Sequence, residues 1–464
     1  MVIPVPLTAK PFEVIPITQR AQNLTVFDAN YTTPYVQTFT LGLTRSLTSK
    51  LTMDVKYVGT RGTKLTGSVA LNDADVRNNG LLKALEITRA GGDAPLFDTM
   101  LKGVNLGSGV VGQAISGSEA LRRNATFRAG IANGDFVAVA RTLSSTNVGT
   151  TQPPLTNAGL LRSSGAFPPN FIVANPQFNE ITWRTNADNS NYQSLQAQLN
   201  VRQIHGFNYQ ATYLWSRSLG VTSTLATTAQ GSGFRDLQNQ RADYTRLPSD
   251  RTHDFRSYGT FDLPFGPNKL LGGKTSGWAA RLIEGWKLGT ILSLTAGQPL
   301  NVVGRNTLYS NGTPEIVGAF PRKGEVVWPQ NPGDIFGNFF GQQYKNVQDP
   351  GCAAVASTLT AFCTNTALAD ANGNIVLRNA ASGQLGTLGL RTIEGPGSWS
   401  FDANLQKSVR VAEAKNLTLR VDATNVFNHP TPGNPNLNIN TGTFGQINMK
   451  TGSRLLQAQL RFDF

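Results

Sequence analysis

The chain has 464 residues and a formal net charge of +13 at pH 7, and 39% of its residues are hydrophobic. No segment approaches the ~18 consecutive apolar residues of a membrane-spanning helix, which excludes helical membrane proteins; barrel strands need only about 9–11 residues, with every second one apolar. The 41 lysines and arginines never occur in runs longer than two, so a nucleic-acid-binding surface is not expected.

The first residues, MVIPVPLTAKPFEV, lack the basic and continuous apolar regions of a signal peptide. We interpret residues 1–30 as an extended segment and expect that, if the protein is exported, this sequence lacks its start. The remaining residues, 31–464, are predicted to form one β-rich region.

Alternating apolar and polar residues predict the strands in chain order. Residues 35–60 contain two such runs around a short turn at 46–50, which is typical of a β-hairpin with one apolar and one polar face. A second hairpin is predicted at 194–217, with its turn at 203–206. Further strands are predicted at 255–263, 286–296, 399–406, 417–424 and 455–464, and two weaker ones near 171–183 and 316–328. The pattern therefore predicts about 9–12 strands in this chain.

Short turns and very long connections largely alternate along the chain. The long connections are 61–170, 218–250, 298–397 and 428–452. Soluble domains rarely contain loops longer than ~12–15 residues, whereas outer-membrane barrels combine short periplasmic turns with long extracellular loops. Gly80–Arg89 and Ser118–Arg123 have helical spacing, and we interpret them as structured elements of the first long loop rather than as a domain.

Alternation alone fits either a soluble sandwich, with its apolar face buried, or a membrane barrel, with its apolar face in lipid. Aromatic residues near strand ends, charges of both signs on the polar faces and strands of ten or more residues favour a partial, all-β, transmembrane antiparallel β-barrel with long extracellular loops. The residues predicted to face the lumen are Lys56, Arg202, Arg256, Asp402, Arg420, Asp422, Arg461 and Asp463.

Two Arg–Asp pairs suggest how the last two strands pair. If these strands are antiparallel neighbours, one register places Arg420 opposite Asp463 and Asp422 opposite Arg461. Cross-strand ion pairs of this kind contribute roughly 0.2–1 kcal/mol each. A solvated charged face without these pairs is the alternative.

The chain ends in RLLQAQLRFDF, where Leu456, Leu460, Phe462 and the terminal Phe464 share one face. This ending is similar to the C-terminal insertion signal of bacterial outer-membrane barrels. The similarity implies that the barrel-assembly machinery is a partner. The alternative is the last strand of a soluble sandwich.

Five segments in order resemble the barrel of Oar-like TonB-dependent outer-membrane proteins. They are 33–65 (TPYVQTFTLGLTRSLTSKLTMDVKYVGTRGTKL), 190–220, 250–266 (DRTHDFRSYGTFDLPFG), 284–302 (EGWKLGTILSLTAGQPLNV) and 395–435. The resemblance implies a barrel of about 22 strands with an N-terminal plug, a TonB-contacting box and often an upstream β-sandwich. None of these upstream parts is recognisable here, so the sequence looks like the C-terminal part of such a protein. The TonB complex is expected as a partner only if a plug and TonB box exist upstream.

The sequence contains no recognisable catalytic or metal-binding constellation. His205, His253 and His429 are isolated, and no pair has metal-ligand spacing. We therefore predict neither an enzyme nor a cofactor. Cys352 and Cys363 are predicted to form a disulfide in an exported protein, with two reduced thiols in a cytoplasmic protein as the alternative.

The predicted function is that of the outer-membrane barrel of a TonB-dependent transporter or receptor, which binds a large substrate and imports or exports it. A passive porin-like channel or a structural or adhesive barrel is the alternative, and a soluble or surface β-sandwich adhesin is a third hypothesis. We expect the protein in the bacterial outer membrane, in contact with its lipid. No loop motif selects a substrate.

Overall fold

A computed structural model describes residues 15–16, 22–146, 159–223, 234–236, 238–305, 312–329, 336–341, 343–412 and 415–464. Most of the predicted N-terminal extended segment, 1–30, therefore lies outside the described residues, as do parts of the three longest predicted connections. None of the described helices is long and apolar enough to cross a bilayer.

Strands dominate the structure. In chain order they are β1 Asn23–Phe27, β2 Tyr35–Thr48, β3 Leu51–Ala70, β4 Glu180–Ile204, β5 Phe207–Val221, β6 Thr245–Arg246, β7 His253–Asp262, β8 Trp286–Thr295, β9 Pro299–Leu300, β10 Glu315–Ile316, β11 Gly337–Asn338, β12 Lys345–Gln348, β13 Thr366–Ala369, β14 Ile375–Arg378, β15 Ile393–Glu394, β16 Ser398–Ala412, β17 Lys415–Thr424, β18 Thr431–Pro432, β19 Gln446–Ile447, β20 Lys450–Thr451 and β21 Leu455–Asp463. The α-helices are α1 Leu81–Arg89, α2 Pro95–Met100, α3 Gly117–Arg123, α4 Arg128–Asn133, α5 Phe136–Ser145, α6 Gly159–Ser163 and α7 Gly277–Ile283.

Nine long strands form one antiparallel sheet, the main sheet, in the order β2–β3–β4–β5–β7–β8–β16–β17–β21. β1 adds in parallel to the start of β4, and β6 adds to the end of β5, which gives eleven strands among the described residues. β2 and β21 are the outer strands, and the sheet is open between them. The predicted all-β, antiparallel architecture is confirmed.

The two ends of the main sheet differ. At the turn end, tight turns at 49–50 and 205–206 join β2 to β3 and β4 to β5, and residues 263–285 join β7 to β8. At the loop end, the strands are joined by 71–179, 222–252, 296–397 and 425–454.

The strands extend further at the loop end than the sequence predicted. β3 continues through RGTKLTGSVA to Ala70, and β4 begins at Glu180. Because polar and small residues occupy both faces of this extension, the alternation that predicts a strand is weak there. The weak strand predicted near 171–183 corresponds only to the start of β4, and the one near 316–328 only to β10.

The connection between β3 and β4 folds into a compact helical unit. Helices α1–α6 surround a hydrophobic core that includes Leu85, Phe97, Leu121 and Leu143, all fully buried. The connection thus holds six described helices, where the sequence predicted two helical segments as structured elements of a long loop at 61–170. α1 and α3 match the predicted helical segments, but α2, α4 and α6 are too short to show a periodic apolar face in the sequence.

A second hydrophobic core joins two of the other loop-end connections, 296–397 and 425–454. It includes Val302, Phe339 and Leu377 of 296–397 and Ile439 and Ile447 of 425–454. A small sheet with the order β10–β14–β13–β12 lies within the first of these connections. We call residues 71–179, 296–397 and 425–454 together the loop layer.

Candidate functional site

One surface of the main sheet is apolar, and we call it the apolar face. The strand registers place apolar residues of neighbouring strands side by side on this surface. One row across the sheet consists of Leu43, Val55, Ala197, Tyr213, Phe255, Leu294 and Trp399. Another row consists of Phe207, Phe261, Leu288, Leu405, Val421 and Ala458. Together the two rows include all nine long strands of the main sheet.

Side chains of the apolar face are exposed rather than packed against another layer. Leu41 is 75% exposed, Leu43 65% and Trp215 55%. Removing one leucine side chain from water is worth about 1.5–3 kcal/mol, so a face of this extent would be strongly unfavourable in water. It is stable against hydrocarbon. This exposure contradicts the soluble-sandwich alternative, in which the apolar face would be buried.

Aromatic residues mark both ends of the apolar face. At the turn end Phe207 stacks on Phe261, with ring centroids 4.0 Å apart. Aromatic residues of the turn end further include Trp286 and Phe462, and those of the loop end include Tyr35, Trp215 and Trp399. Two such belts are typical of strands whose ends lie at the two interfaces of a bilayer.

The predicted insertion-signal residues lie along the outer strand β21 and just after it. Leu456, Leu460 and Phe462 occupy the apolar face, where they oppose Ala423, Leu419 and Leu417 of β17. The ring of Phe464 stacks on that of Phe462 at 6.1 Å and is 92% exposed. The last residues of the chain are therefore an uncovered apolar edge.

The opposite surface, the polar face, holds the residues predicted to line the lumen. Lys56, Arg202, Arg256, Asp402, Arg420, Asp422, Arg461 and Asp463 all occupy positions that alternate with the apolar face. Asp402 accepts a hydrogen bond from the backbone N–H of Asn425 at 2.7 Å, which ties β16 to the chain leaving β17.

The predicted cross-strand pairing of Arg420 with Asp463 is wrong. Arg420 opposes Gln459, and it binds Asp422 of its own strand at 2.7 Å. Arg461 likewise binds Asp463, opposes Thr418 and does not reach Asp422, which opposes Gln457. The observed register aligns leucines on the apolar face. A shift by four residues keeps every side chain on the same face, so alternation could not distinguish the two registers.

Residues two apart on a strand point to the same side, which explains these intrastrand pairs. The same arrangement occurs in β7, where Arg256 binds Asp254 at 2.9 Å. All three pairs lie on the polar face. Their exposed arginines make each pair worth little in stability, but together they give this face charges of both signs.

Sequence reasoning missed a buried carboxylate at the loop end. The side chain of Asp250 is fully buried and accepts hydrogen bonds from the backbone N–H of Ser218 and from Arg246, at 2.5 and 2.7 Å. It thereby ties the 222–252 connection to β5. The charged run RLPSDRT just before β7 is the signal that could have indicated it.

A disulfide and a half-buried arginine connect the parts of the loop layer. Cys352 and Cys363 are bonded, with Cα atoms 5.8 Å apart, and both pack in the core of the helical unit. Arg89 of α1 donates to the carbonyl oxygens of Ala132 at 3.0 Å and Gly351 at 2.8 Å. Burial lowers the pKa of Arg89 from its ordinary value, and the charge of Asp349 opposes this shift.

A partly open cavity of about 410 Å³ lies where these parts meet. Its charged lining residues are Glu86, Arg89, Glu315, Asp349 and Arg378. Asp349 is held by hydrogen bonds from Gly351 and Asn379, at 2.8 and 2.9 Å. Arg378 donates to Glu315 at 2.9 Å, and this hydrogen bond raises the pKa of Arg378. The cavity therefore offers charges of both signs to a polar molecule.

None of the three histidines lines this cavity, and each has different neighbours. His253 contacts the hydroxyl of Tyr213 at 2.8 Å, His429 stacks on Trp399, and His205 lies in the β4–β5 turn with φ of 48°. Across the described residues, no group of three or more His, Cys, Asp or Glu side chains could hold a metal ion.

An exposed apolar face with aromatic belts, a polar opposite face and long connections at one end define the wall of an outer-membrane β-barrel. The family model of the outer membrane beta barrel domain matches residues 3–457, and the chain belongs to this family. The predicted barrel fold and the predicted location in the bacterial outer membrane are thereby confirmed. No curated protein matches the chain.

Solved structures of outer-membrane proteins resemble the chain at low identity. The outer membrane transporter YddB from Escherichia coli is 8% identical, with a TM-score of 0.36 over 96% of this chain and 34% of that one. The copper transporter OprC is 9% identical, with a TM-score of 0.30 over 94% of this chain and 32% of that one. The ferripyoverdine receptor of Pseudomonas aeruginosa is 8% identical, with a TM-score of 0.31 over 93% of this chain and 27% of that one. The chain spans about a third or less of the length of each.

Proposed function

We propose that this chain supplies wall strands and an external binding layer to an outer-membrane transporter or receptor. The observation that carries the proposal is the loop layer. It has two hydrophobic cores and a disulfide, and it is connected directly to strands with a lipid-compatible face. A passive pore needs an open entrance, whereas a receptor needs a shaped surface that holds its ligand before transport.

The cavity lined by Arg89, Glu315, Asp349 and Arg378 is the proposed contact for the substrate. Side chains of both signs lie on its wall, and Arg378 is half-exposed, so its guanidinium can exchange Glu315 for an anionic group of a ligand. A polar molecule with both acidic and basic groups fits this chemistry. The substrate and the direction of transport are to be determined by the experiments described below.

Closure of the barrel is also part of the proposal. In hydrocarbon the unpaired backbone groups along β2 and β21 would cost several kcal/mol each, so these edges require partners. Further strands of an Oar-like, TonB-dependent protein would supply them, and a plug with a TonB-contacting box would couple transport to energy. Assembly would use β21 and Phe464 as the segment gripped by the barrel-assembly machinery.

Native mass spectrometry of the full-length protein tests the binding role. Outer membranes carrying the wild type are exposed to the polar small molecules of the growth medium and extracted, and retained molecules are identified. We expect a retained species that is lost in Arg378→Gln. Arg123→Gln is the matched control, because Arg123 is exposed and pairs with Glu119 away from the cavity lining.

Conductance across a planar bilayer tests the alternative. A steady open conductance of the same full-length protein, with no retained species, would support a passive channel and refute the receptor. Uptake of the retained species that stops in cells lacking TonB would support energy coupling, and uptake that continues would refute it.

A further inference from the structure

The connection between β7 and β8 is unlike the other described connections at the turn end. The turns at 49–50 and 205–206 are tight, whereas 263–285 folds into a small structure of its own. The backbone N–H of Gly266 donates to Leu271 and that of Leu271 to Pro264, both at 2.9 Å, and α7 follows. We call residues 264–284 the turn-end segment. Short connections of outer-membrane barrels face the periplasm, so this segment lies beside the periplasmic leaflet.

A lysine on the apolar face binds the end of this segment. Lys407 occupies an apolar-face position of β16, between Trp286 and Leu419. Its ammonium donates to the carbonyl oxygens of Leu282 and Glu284, at 2.8 and 2.7 Å, and lies 5.0 Å from the ring centroid of Trp286. The indole N–H of Trp286 also donates to Leu282, at 3.1 Å. The C-terminus of α7 is therefore held on the lipid side of the sheet.

The hydrogen bonds to Leu282 and Glu284 compensate the positive charge of Lys407, which would be unfavourable in lipid. Lys407 is only 8% exposed because the segment covers it. Carbonyl groups at a helix C-terminus carry partial negative charge and favour a cation. Gly285, with φ of 75°, then lets the chain turn from the segment into β8; a Cβ there would lie 2.9 Å from the carbonyl oxygen of Ser408.

The outer surface of the turn-end segment is apolar and uncovered. Leu270 is 85% exposed, Trp278 77%, Leu282 57% and Leu271 51%. Trp278 and Leu282 are four residues apart on α7 and share one side of the helix. Tryptophan prefers the interface between headgroups and acyl chains, and the neighbouring Phe207 and Trp286 mark that level on the sheet.

The same segment carries exposed positive charge. Lys269, Lys274 and Arg281 are exposed, against one acidic residue, Glu284. Apolar residues combined with basic residues on a short structure parallel to a membrane surface are the pattern that binds anionic lipids. The basic side chains are complementary in charge to anionic lipid phosphates, and the segment lies on the lipid side of the sheet. Both observations indicate that anionic lipid covers the apolar surface of the segment.

We propose that the turn-end segment is a membrane-interface anchor, in which Trp278 and Leu282 enter the periplasmic leaflet and Lys269, Lys274 and Arg281 bind the phosphates of anionic phospholipids. The anchor holds the barrel wall at a fixed depth from outside the barrel. It differs from the external cavity in position, ligand and leaflet, so either proposal can fail without the other.

Spin labels on the full-length protein test the position of the segment. Leu282→Cys carries the label on the segment, and Ser49→Cys in the tight β2–β3 turn is the matched control; the two native cysteines are bonded and do not react. In vesicles of zwitterionic phosphatidylcholine with one quarter anionic phosphatidylglycerol, we expect residue 282 to be relaxed more by oxygen than by an aqueous nickel complex. The order should reverse at residue 49.

Two outcomes would overturn this position. Relaxation of residue 282 mainly by the nickel complex would place the segment in water. Protection of residue 282 from both reagents would mean that a protein surface, such as a second copy or a periplasmic domain, covers it.

The charge requirement has its own test. The association of spin-labelled phosphatidylglycerol relative to phosphatidylcholine is measured for the wild type and for the triple variant Lys269→Gln, Lys274→Gln and Arg281→Gln. We expect the preference for the anionic lipid to fall by up to about fivefold for each basic residue removed. The triple variant Lys56→Gln, Arg256→Gln and Arg420→Gln, at three positions of the polar face that point away from lipid, is the control and should keep the preference. An unchanged preference in the segment variant would refute the phosphate contacts.

Discussion

Replacing Leu405 by arginine is predicted to destabilise the membrane-embedded sheet, whereas arginine at the adjacent Asn404 is not. Leu405 lies on the apolar face between Leu288 and Val421, seven residues from either end of β16, Ser398–Ala412. Along the strand, Leu405 lies about 7 Å from the level of Trp286 and about 20 Å from Trp399, the residues that mark the two interfaces, so it lies inside the apolar band but closer to the turn end. An arginine on the lipid face costs about 2–4 kcal/mol at the midplane and about 0–1 kcal/mol near an interface, so we expect about 1–2 kcal/mol at this depth.

Asn404 is the matched control because it lies on the polar face, opposite Gly289 and Asp422. Gly289 leaves space for a longer side chain, and the carboxylate of Asp422 favours a cation. We therefore expect Asn404→Arg to change the free energy of unfolding by no more than about 0.5 kcal/mol.

The assay is guanidinium unfolding of the full-length protein in phospholipid vesicles, followed by tryptophan fluorescence and by gel mobility of unheated samples. A loss of about 1–2 kcal/mol corresponds to roughly a 5- to 30-fold smaller folding equilibrium constant for Leu405→Arg. Leu405→Ala separates the lost apolar contact from the added charge. Equal losses for the two arginine variants, or a larger loss for Asn404→Arg, would show that the apolar face does not meet lipid.

Three further predictions concern the loop end and the C-terminus. Asp250→Ala should lower the free energy of unfolding by about 3–5 kcal/mol, because it removes the buried carboxylate that binds Arg246 and the backbone N–H of Ser218, and leaves Arg246 only the more distant Glu394 at 4.0 Å; a loss below 1 kcal/mol would contradict this. Replacing both Cys352 and Cys363 by serine should remove about 2–3 kcal/mol of loop-layer stability and speed proteolysis there, while the gel mobility of the barrel stays unchanged. Phe464→Gln should reduce the fraction assembled in outer membranes without changing the unfolding midpoint of the purified protein, since this side chain is almost fully exposed; equal assembly would argue against an insertion signal.

The strands of the wall could be predicted because each has one face in lipid and the other in a polar environment. Where a strand leaves the lipid, its sequence predicts the strand less clearly. The end of β3 after Arg61 leaves the apolar band, and its polar, glycine-containing sequence no longer alternates. The physical cause of the pattern is the bilayer, so the pattern ends where the bilayer ends.

The loop layer could be predicted only in part. Its short helices α2 and α4 contribute only two apolar residues each to the common core, and a helix of six residues has too few positions to show a period of 3.6. The cavity between Arg89 and Arg378 joins residues far apart in sequence. Likewise, the position of the turn-end segment depends on the register that places Lys407 on the apolar face, and register is not encoded in alternation.

The register of the last two strands can be tested directly, and it decides where the chain end lies. In the observed register Arg420 is opposite Gln459, and the register expected from the ion pairs would place it opposite Asp463. Gln459 and Asp463 are four residues apart, which corresponds to about 13 Å along the strand. A disulfide requires Cα atoms within about 7 Å.

Copper-catalysed oxidation of full-length protein in outer membranes should therefore link Arg420→Cys to Gln459→Cys and leave Arg420→Cys with Asp463→Cys unlinked, as read by mass spectrometry of the joined peptides. The reverse result would restore the ion-pair register and displace Phe464 by about 13 Å along β17. In the observed register Phe462 opposes Leu417 at the turn end, beside the level of Trp286. The apolar pairs of β17 and β21, and not their charges, then hold the terminal aromatic at the turn end of the sheet. We have proposed that this end faces the periplasm, where the insertion signal would be accessible.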